Sequence, residues 1–233
     1  MVAWPTPELD NSRHPSELYL LDLGSEEPRL VCELPSGGQQ LTWRGETLLY
    51  LSGVAPGATT GLAAFAVHVP TGEPGMLTGS LRACPVELCQ TPKPGSDPLA
   101  SIARGLDTTL ERLDPETGEL ARLSHHAGEL HSLTASDDGS VVAAVKNGPE
   151  DPPEVWAGPP EGPMHRLTNP RPELGEVAFG TRERLSWTSA DGLEIDGLLV
   201  LPPGKRREDG PFPTLVLVHG GPYGRGSDSL RLS

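Results

Sequence analysis

The sequence predicts a mostly β protein: an incomplete β-propeller of about four blade-like units, followed by the first strands of an α/β domain. Three observations support this prediction. Strand–turn–strand units recur at a regular spacing, turn-forming residues are frequent, and the strands change character in the last quarter of the chain. With 28 glycines and 26 prolines among 233 residues, the composition is typical of many short strands joined by turns.

The repeat is carried by glycines in polar turns between apolar segments. The turn glycines Gly24, Gly72, Gly118 and Gly162 are separated by 48, 46 and 44 residues. A second series places Gly45 and Gly139 94 residues apart, about twice that period. A period in the mid-forties with four short strands per unit indicates β-propeller blades. The alternative is a non-repetitive β-sandwich whose turns have this spacing by coincidence.

The repeat ends near residues 167–170, Leu-Thr-Asn-Pro, where the proline marks a boundary. Residues 184–189 and 193–201 alternate around an Asp-Gly turn, which predicts a hairpin with one buried face. Residues 214–218 form an unbroken apolar run, which predicts a strand buried on both faces of an α/β sheet. We therefore expect a partial propeller over residues 1–175 and a second architecture over 176–233.

The apolar run breaks into a glycine turn, because residues 216–222 are Val-Leu-Val-His-Gly-Gly-Pro. A glycine turn at the C-terminal end of a strand presents bare backbone N–H groups. A loop that stabilises an oxyanion needs that arrangement.

Residues 167–223 resemble the propeller-to-hydrolase junction of the prolyl oligopeptidase family of serine peptidases. The matching segments are Leu-Thr-Asn-Pro at 167–170, Trp-Thr-Ser-Ala-Asp-Gly-Leu-Glu-Ile-Asp-Gly-Leu-Leu-Val-Leu-Pro at 187–202 and Pro-Thr-Leu-Val-Leu-Val-His-Gly-Gly-Pro-Tyr at 213–223. The His-Gly-Gly-Pro form is most similar to the acylaminoacyl-peptidase and dipeptidyl-aminopeptidase-like branch. The resemblance implies a β-propeller paired with an α/β-hydrolase domain that cleaves short peptides with a serine nucleophile.

The resemblance also implies roles for the loop residues. The backbone N–H of Gly221 would be one oxyanion donor, and Gly220 would shape the turn. His219, Pro222 and Tyr223 would shape the loop around these donors. His219 is not expected to act as the catalytic base, because the triad histidine comes last in such chains.

The nucleophile motif of that family, Gly-x-Ser-x-Gly, does not occur in the sequence. We therefore expect no catalytic residue in this chain, with the nucleophile, Asp and His lying beyond Ser233. The expectation is a fragment, inactive alone, which a downstream segment would complement. Short peptides would be substrates of the full-length parent. The alternatives are a non-catalytic β-propeller binding module or remnant and, more weakly, a lipase or esterase with a similar His-Gly-Gly motif.

Other candidates for chemistry are weaker. Ser227 and Ser229 lie in a predicted loop, but the sequence places no base beside either of them. Gly221 and Gly226 have P-loop spacing, but Ser227 follows where the P-loop lysine is required. Neither a serine nucleophile nor a nucleotide site is expected here.

A metal site is also disfavoured. Cys84 and Cys89 have a spacing that zinc tolerates, and three histidines, His125, His126 and His131, are close in sequence. The two groups fall in different predicted blades, and structural zinc needs four converging ligands. We expect neither a metal nor another cofactor.

Charge and composition exclude other partners. The formal net charge of −14 argues against nucleic acid and anionic membranes as partners. No apolar stretch approaches the roughly 18 residues of a membrane span, and the N-terminal residues do not resemble a secretory signal. Three cysteines, an odd number, suit a reducing cytoplasm better than a disulfide framework.

Overall fold

A computed structural model describes residues 1–3, 15–25, 27–55, 61–79, 83–90, 93, 95–220 and 224–230. Within these ranges the chain forms strands joined by tight turns, together with two 3₁₀ turns, Pro172–Glu176 and Arg207–Asp209. The strands are β1 (Val2–Ala3), β2 (Ser16–Leu20), β3 (Arg29–Leu34), β4 (Gln39–Arg44), β5 (Thr47–Gly53), β6 (Leu62–His68), β7 (Glu73–Met76), β8 (Cys84–Cys89), β9 (Leu99–Arg104), β10 (Asp107–Leu113), β11 (Leu120–His126), β12 (Glu129–Ala135), β13 (Val142–Asn147), β14 (Glu154–Gly158), β15 (His165–Arg166), β16 (Arg182–Thr188) and β17 (Glu194–Val200).

These strands form antiparallel meanders in which each strand pairs with its neighbour in sequence. Sheet 1 contains β1–β3, sheet 2 contains β4–β7, sheet 3 contains β8–β11 and sheet 4 contains β12–β15. A separate hairpin pairs β16 with β17. The prediction of a mostly β protein is confirmed.

Both glycine series lie at equivalent turns of the sheets. Gly24, Gly72, Gly118 and Gly162 lie between the last two strands of sheets 1, 2, 3 and 4, respectively. Gly45 and Gly139 lie between the first two strands of sheets 2 and 4. The spacing seen in the sequence is therefore a structural repeat of successive antiparallel sheets, of which sheets 2–4 have four strands and sheet 1 has three among the described residues.

Gly118 shows why one of these turns requires glycine. Its φ is +74°, a left-handed conformation that side chains disfavour. A Cβ at this position would also collide with the carbonyl oxygen of Leu77, which follows sheet 2. The turn of sheet 3 thus fits against the preceding sheet only without a side chain.

Consecutive sheets pack face to face, and each pair encloses its own apolar core. Between sheets 1 and 2, Leu18 and Leu34 pack with Tyr50 and Phe65, whose rings stack with centroids 5.4 Å apart. A second core lies between sheets 2 and 3, and a third between sheets 3 and 4. Sheets 2 and 3 therefore each have a neighbour on both faces.

The central strands of the inner sheets are consequently buried on both faces. In β9, every residue from Leu99 to Ala103 is buried, and β5 and β10 are similarly covered. Fully burying one large apolar side chain contributes roughly 1.5–3 kcal/mol. The stability of this region therefore comes from the stacking of its sheets.

The last part of the chain departs from the sequence prediction in two ways. The hairpin of β16 and β17 is present, but neither strand has a buried residue, so the predicted buried face is only half covered. Residues 214–218 were predicted as a doubly buried strand, and this prediction is wrong. They form no strand, and Leu215 to Val218 are 83–92% exposed. The physical reason is that no strand among the described residues hydrogen-bonds to this run.

The cysteines and histidines also lie differently from the prediction. Cys84 and Cys89 are in β8, whereas His125 and His126 are in β11 of the same sheet, not in a different unit. The strand order β11-β10-β9-β8 places the two groups on opposite edges of that sheet. His131 lies in β12 of sheet 4. In the part of the chain that is described, no three His, Cys, Asp or Glu side chains converge as metal ligands.

The two 3₁₀ turns are too short to cross a bilayer, so no described helix is a candidate membrane span.

Candidate functional site

The predicted oxyanion loop is only partly described. His219 and Gly220 are exposed, and Nδ1 of His219 lies 3.3 Å from the carbonyl oxygen of Gly220. The predicted donor Gly221, and Pro222 and Tyr223 with it, lie outside the described residues. Their proposed roles therefore remain predictions.

Gly224 lies against Gly220. A Cβ on Gly224 would collide with the Gly220 carbonyl oxygen. The close approach of these two residues therefore requires glycine at position 224.

The principal charged cluster of the described chain lies where the β16–β17 hairpin meets sheet 3. The Arg184 guanidinium donates to both carboxylate oxygens of Asp107, with Nη1–Oδ2 and Nη2–Oδ1 distances of 2.8 and 2.5 Å. Its Nε donates to Oδ2 of Asp228 at 3.0 Å. Arg182 Nη1 lies 3.3 Å from the other Asp228 oxygen. Arg184 therefore binds both carboxylates, and Arg182 binds Asp228.

The electrostatics of Asp107 follow from these contacts. The carboxylate is nearly buried, and burial alone would raise its pKa. Hydrogen bonds and charge from Arg184, the 2.9 Å contact with His125 Nε2 and the N–H of Gly128 outweigh burial and lower the pKa below its ordinary value. The same ion pair raises the pKa of Arg184. Both groups thus stay ionised at neutral pH.

The end of the segment of residues 224–230 packs into this cluster, and the chain bends at Asp228. The Asp228 N–H donates to the Leu106 carbonyl at 2.9 Å, and the Leu230 N–H donates to the Gly148 carbonyl at 2.7 Å. Ser227, Asp228, Ser229 and Leu230 are 4–6% exposed. Two residues of the segment therefore bind, through their backbone, the β9–β10 turn of sheet 3 and the end of β13 in sheet 4.

The hydroxyl groups of Ser227 and Ser229 form hydrogen bonds within this cluster. Ser227 Oγ donates to Oε1 of Glu129 at 2.6 Å and lies 2.7 Å from Ser229 Oγ. The sequence did not indicate this carboxylate neighbour. Both hydroxyls are buried, and none of their hydrogen bonds in the described structure is to a histidine, which a serine nucleophile of the triad type needs. Their contacts hold the segment in place.

Sequence reasoning missed the charged cluster altogether. Asp107, Arg182, Arg184 and Asp228 were not singled out, because they lie in three distant parts of the sequence. One signal could have found the arginines, since residues 182 and 184 alternate on one strand and so share a face. The cluster can bind a carboxylate and the backbone of a short segment, but it presents no activated nucleophile.

No protein-family model matches the sequence, and no curated protein matches it. Solved structures do match in fold. The acylaminoacyl peptidase of Pyrococcus horikoshii matches with a TM-score of 0.61 at 14% identity, covering 88% of this chain and 31% of that chain. A Mycobacterium tuberculosis puromycin-hydrolyzing peptidase matches with a TM-score of 0.58 at 20% identity, covering 88% of this chain and 33% of that chain.

The fold is not confined to peptidases. An oligogalacturonate lyase matches with a TM-score of 0.56 at 15% identity, covering 82% of this chain and 55% of that chain. Because these identities are low, the likeness concerns the fold and leaves the activity open. The chain spans about a third of the length of the matching peptidases, and it shares with them an architecture of successive antiparallel sheets.

Proposed function

We propose that this chain is part of a serine peptidase of the prolyl oligopeptidase family that acts on short peptides. Residues 1–175 would belong to its β-propeller and residues 176–233 to the start of its α/β-hydrolase domain. The observation that carries the proposal is the order of features along one chain. Stacked antiparallel meanders are followed by a hairpin and then by an apolar run that ends in His-Gly-Gly-Pro.

Two further observations support this order. The fold likeness to peptidases covers 88% of the chain, so it includes most of the repeat. The equivalent positions of the turn glycines in sheets 1–4 fit blades of one propeller.

The oxyanion loop has a defined role in the proposed mechanism. The N–H of Gly221 would donate to the oxyanion of the tetrahedral intermediate, and Gly220 would allow the turn. The second donor would be the N–H that follows the serine nucleophile. Since the sequence contains no Gly-x-Ser-x-Gly, we expect the 233-residue chain alone not to hydrolyse peptides. Its three cysteines, all free, fit the expected cytoplasmic location.

The test begins with the coding sequence beyond codon 233. The proposal expects a reading frame that encodes Gly-x-Ser-x-Gly, Asp and His in that order. The product of that frame should react with a fluorophosphonate probe and hydrolyse acylated or short peptide anilides, whereas the 233-residue chain should do neither. A frame without the motif, or a full product inert to the probe, overturns the proposal.

Gly221 provides a sharper test in that full product. Gly221→Pro removes the proposed donor N–H and should lower kcat by about 100- to 1000-fold, the usual effect of losing one oxyanion donor. Gly175→Ala is the matched control, because a Cβ at residue 175 meets nothing within 4 Å. Equal activity of the two variants would remove Gly221 from the site.

A non-catalytic binding module is the second candidate, and the missing nucleophile motif favours it. The same experiments separate the two. A binding module would show no probe labelling in any form of the product, yet the chain would remain folded.

A further inference from the structure

The ends of sheets 3 and 4 hold a short piece of the chain in the manner of a peptide ligand. Residues 227–230, Ser-Asp-Ser-Leu, are almost fully buried there, with a bend at Asp228. We propose that this place is a binding groove for a short peptide with an aspartate side chain, and that residues 227–230 occupy it in cis. This inference goes beyond the peptidase proposal and does not depend on it.

Three hydrogen bonds hold the backbone of the segment in the groove. Asp228 and Leu230 donate their N–H groups to the carbonyls of Leu106 and Gly148, at 2.9 and 2.7 Å. Arg182 Nη1 donates to the Ser229 carbonyl at 3.0 Å. Because these contacts are made to backbone atoms of the segment, any peptide that adopts the same bend can supply them.

The aspartate is recognised by two arginines. Arg184 and Arg182 bind its two carboxylate oxygens, and the Asp228 side chain is only 8% exposed. Asp107 neutralises one of these positive charges. Without the Asp228 carboxylate the groove would therefore hold an unbalanced guanidinium, which makes it selective for an anionic side chain.

Gly128 lies between the backbone of sheet 4 and the bound segment. Its φ is +82°, and a Cβ on it would collide with the Asn147 carbonyl oxygen of β13 and would lie 2.6 Å from the Asp228 carbonyl oxygen. The pairing within sheet 4 therefore already requires glycine here, and the same glycine leaves room for residue 228.

The buried aspartate lies next to an open cleft. This cleft has a volume of about 650 Å³ and is lined in part by Arg182, Arg184, Asp228, Glu150 and Phe179. A peptide from solution can therefore approach the arginines once the cis segment moves aside. While the cis segment is bound, its high local concentration should weaken the apparent affinity for a competing peptide.

The test uses a fluorescent, amidated peptide with the sequence of residues 224–230, Gly-Arg-Gly-Ser-Asp-Ser-Leu. Its matched control carries Asn in place of Asp. Fluorescence anisotropy measures binding to the wild-type chain and to Asp228→Asn, in which the cis segment has lost its carboxylate. We expect the Asp peptide to bind the Asp228→Asn chain at least tenfold more tightly than it binds the wild-type chain. We also expect it to bind the Asp228→Asn chain at least tenfold more tightly than the Asn peptide binds that same chain. Adding Arg182→Gln to Asp228→Asn should reverse the gain.

Two outcomes overturn the proposal: equal affinity of the Asp and Asn peptides for Asp228→Asn, or equal affinity of the two chains for the Asp peptide. If circular dichroism shows that Asp228→Asn does not fold, hydrogen exchange of the wild-type chain decides. Millimolar Asp peptide should then speed exchange at the amides of Asp228 and Leu230, whereas the Asn peptide should not. Unchanged exchange with both peptides overturns the proposal.

Discussion

Two apolar runs of similar composition have opposite environments in this protein. Residues 48–51, Leu-Leu-Tyr-Leu, are at most 5% exposed. Residues 215–218, Leu-Val-Leu-Val, are 83–92% exposed. Hydrophobicity alone would place both inside a sheet.

The difference lies in their neighbours. Residues 48–51 belong to β5, which pairs with β4 on one side and β6 on the other. Leu48 and Tyr50 face the core shared with sheet 1, whereas Leu49 and Leu51 face the core shared with sheet 3. The run at 215–218 has no paired strand among the described residues. An apolar run therefore predicts a requirement for burial, and the partners decide whether the requirement is met.

The largest expected effect comes from shortening one side chain in each run. Leu49→Ala should lower the free energy of unfolding by about 2–5 kcal/mol, because it leaves a cavity between sheets 2 and 3. Leu217→Ala should change it by less than about 0.5 kcal/mol, because the side chain is exposed. Urea unfolding followed by circular dichroism measures both. A loss above about 1 kcal/mol for Leu217→Ala would show that the run is buried in solution.

The next largest expected effect is a loss of folding stability at low pH, caused by His126 in β11. Burial, with the charges of Lys146 and His125, lowers the pKa of His126 to about 4. Unfolding exposes the ring and restores a pKa of about 6.5, so the unfolded state binds the proton more tightly. The free energy of unfolding should therefore be unaffected by this group above pH about 6.5, and fall by up to about 3 kcal/mol as the pH drops to about 4.

His126→Gln isolates this contribution, since glutamine does not titrate. Urea unfolding at several pH values should show a difference between wild type and variant that changes between pH about 6.5 and 4. A constant difference over that range would mean that the ring is not buried in the neutral form.

The smallest expected effect is the difference in stability cost between alanine substitutions at two turn glycines with positive φ. Gly118 and Gly192 have φ values of +74° and +87°, but only Gly118 would place a Cβ against another sheet. Gly192→Ala should cost at most about 1–2 kcal/mol, from backbone strain alone. Gly118→Ala should cost about 1 kcal/mol more, because the Leu77 carbonyl must also move. Equal costs in thermal unfolding would indicate that sheets 2 and 3 are not packed closely at this turn.

Much of the fold could be predicted from local patterns. The glycine spacing located the same hairpin in each of four sheets, and at Gly72 and Gly118 a positive φ explains why the turn selects glycine. The alternation around Asp191 and Gly192 located the β16–β17 hairpin. The boundary near residue 170 also agrees with the end of sheet 4.

The charged cluster could not be predicted in the same way. Asp107 and Arg184 are 77 residues apart, and Asp228 is 44 residues beyond Arg184. Single charged residues in strands and turns usually face solvent, so their types carry little signal. Ser227 and Ser229 were considered as nucleophiles, whereas in the structure their hydroxyls hold the segment of residues 227–230 in place.

The sequence by itself determined the strands, their turns and their grouping into repeating antiparallel units, because strand alternation and glycine conformations are properties of short segments. Only the tertiary structure decided which apolar runs are covered and which edges of sheet 3 carry the cysteines and histidines. It also decided how residues 227–230 come to lie between Arg182, Arg184 and the ends of sheets 3 and 4. These features depend on how sheets stack and on charge pairs between distant segments, and such contacts exist only once the whole chain is arranged in space.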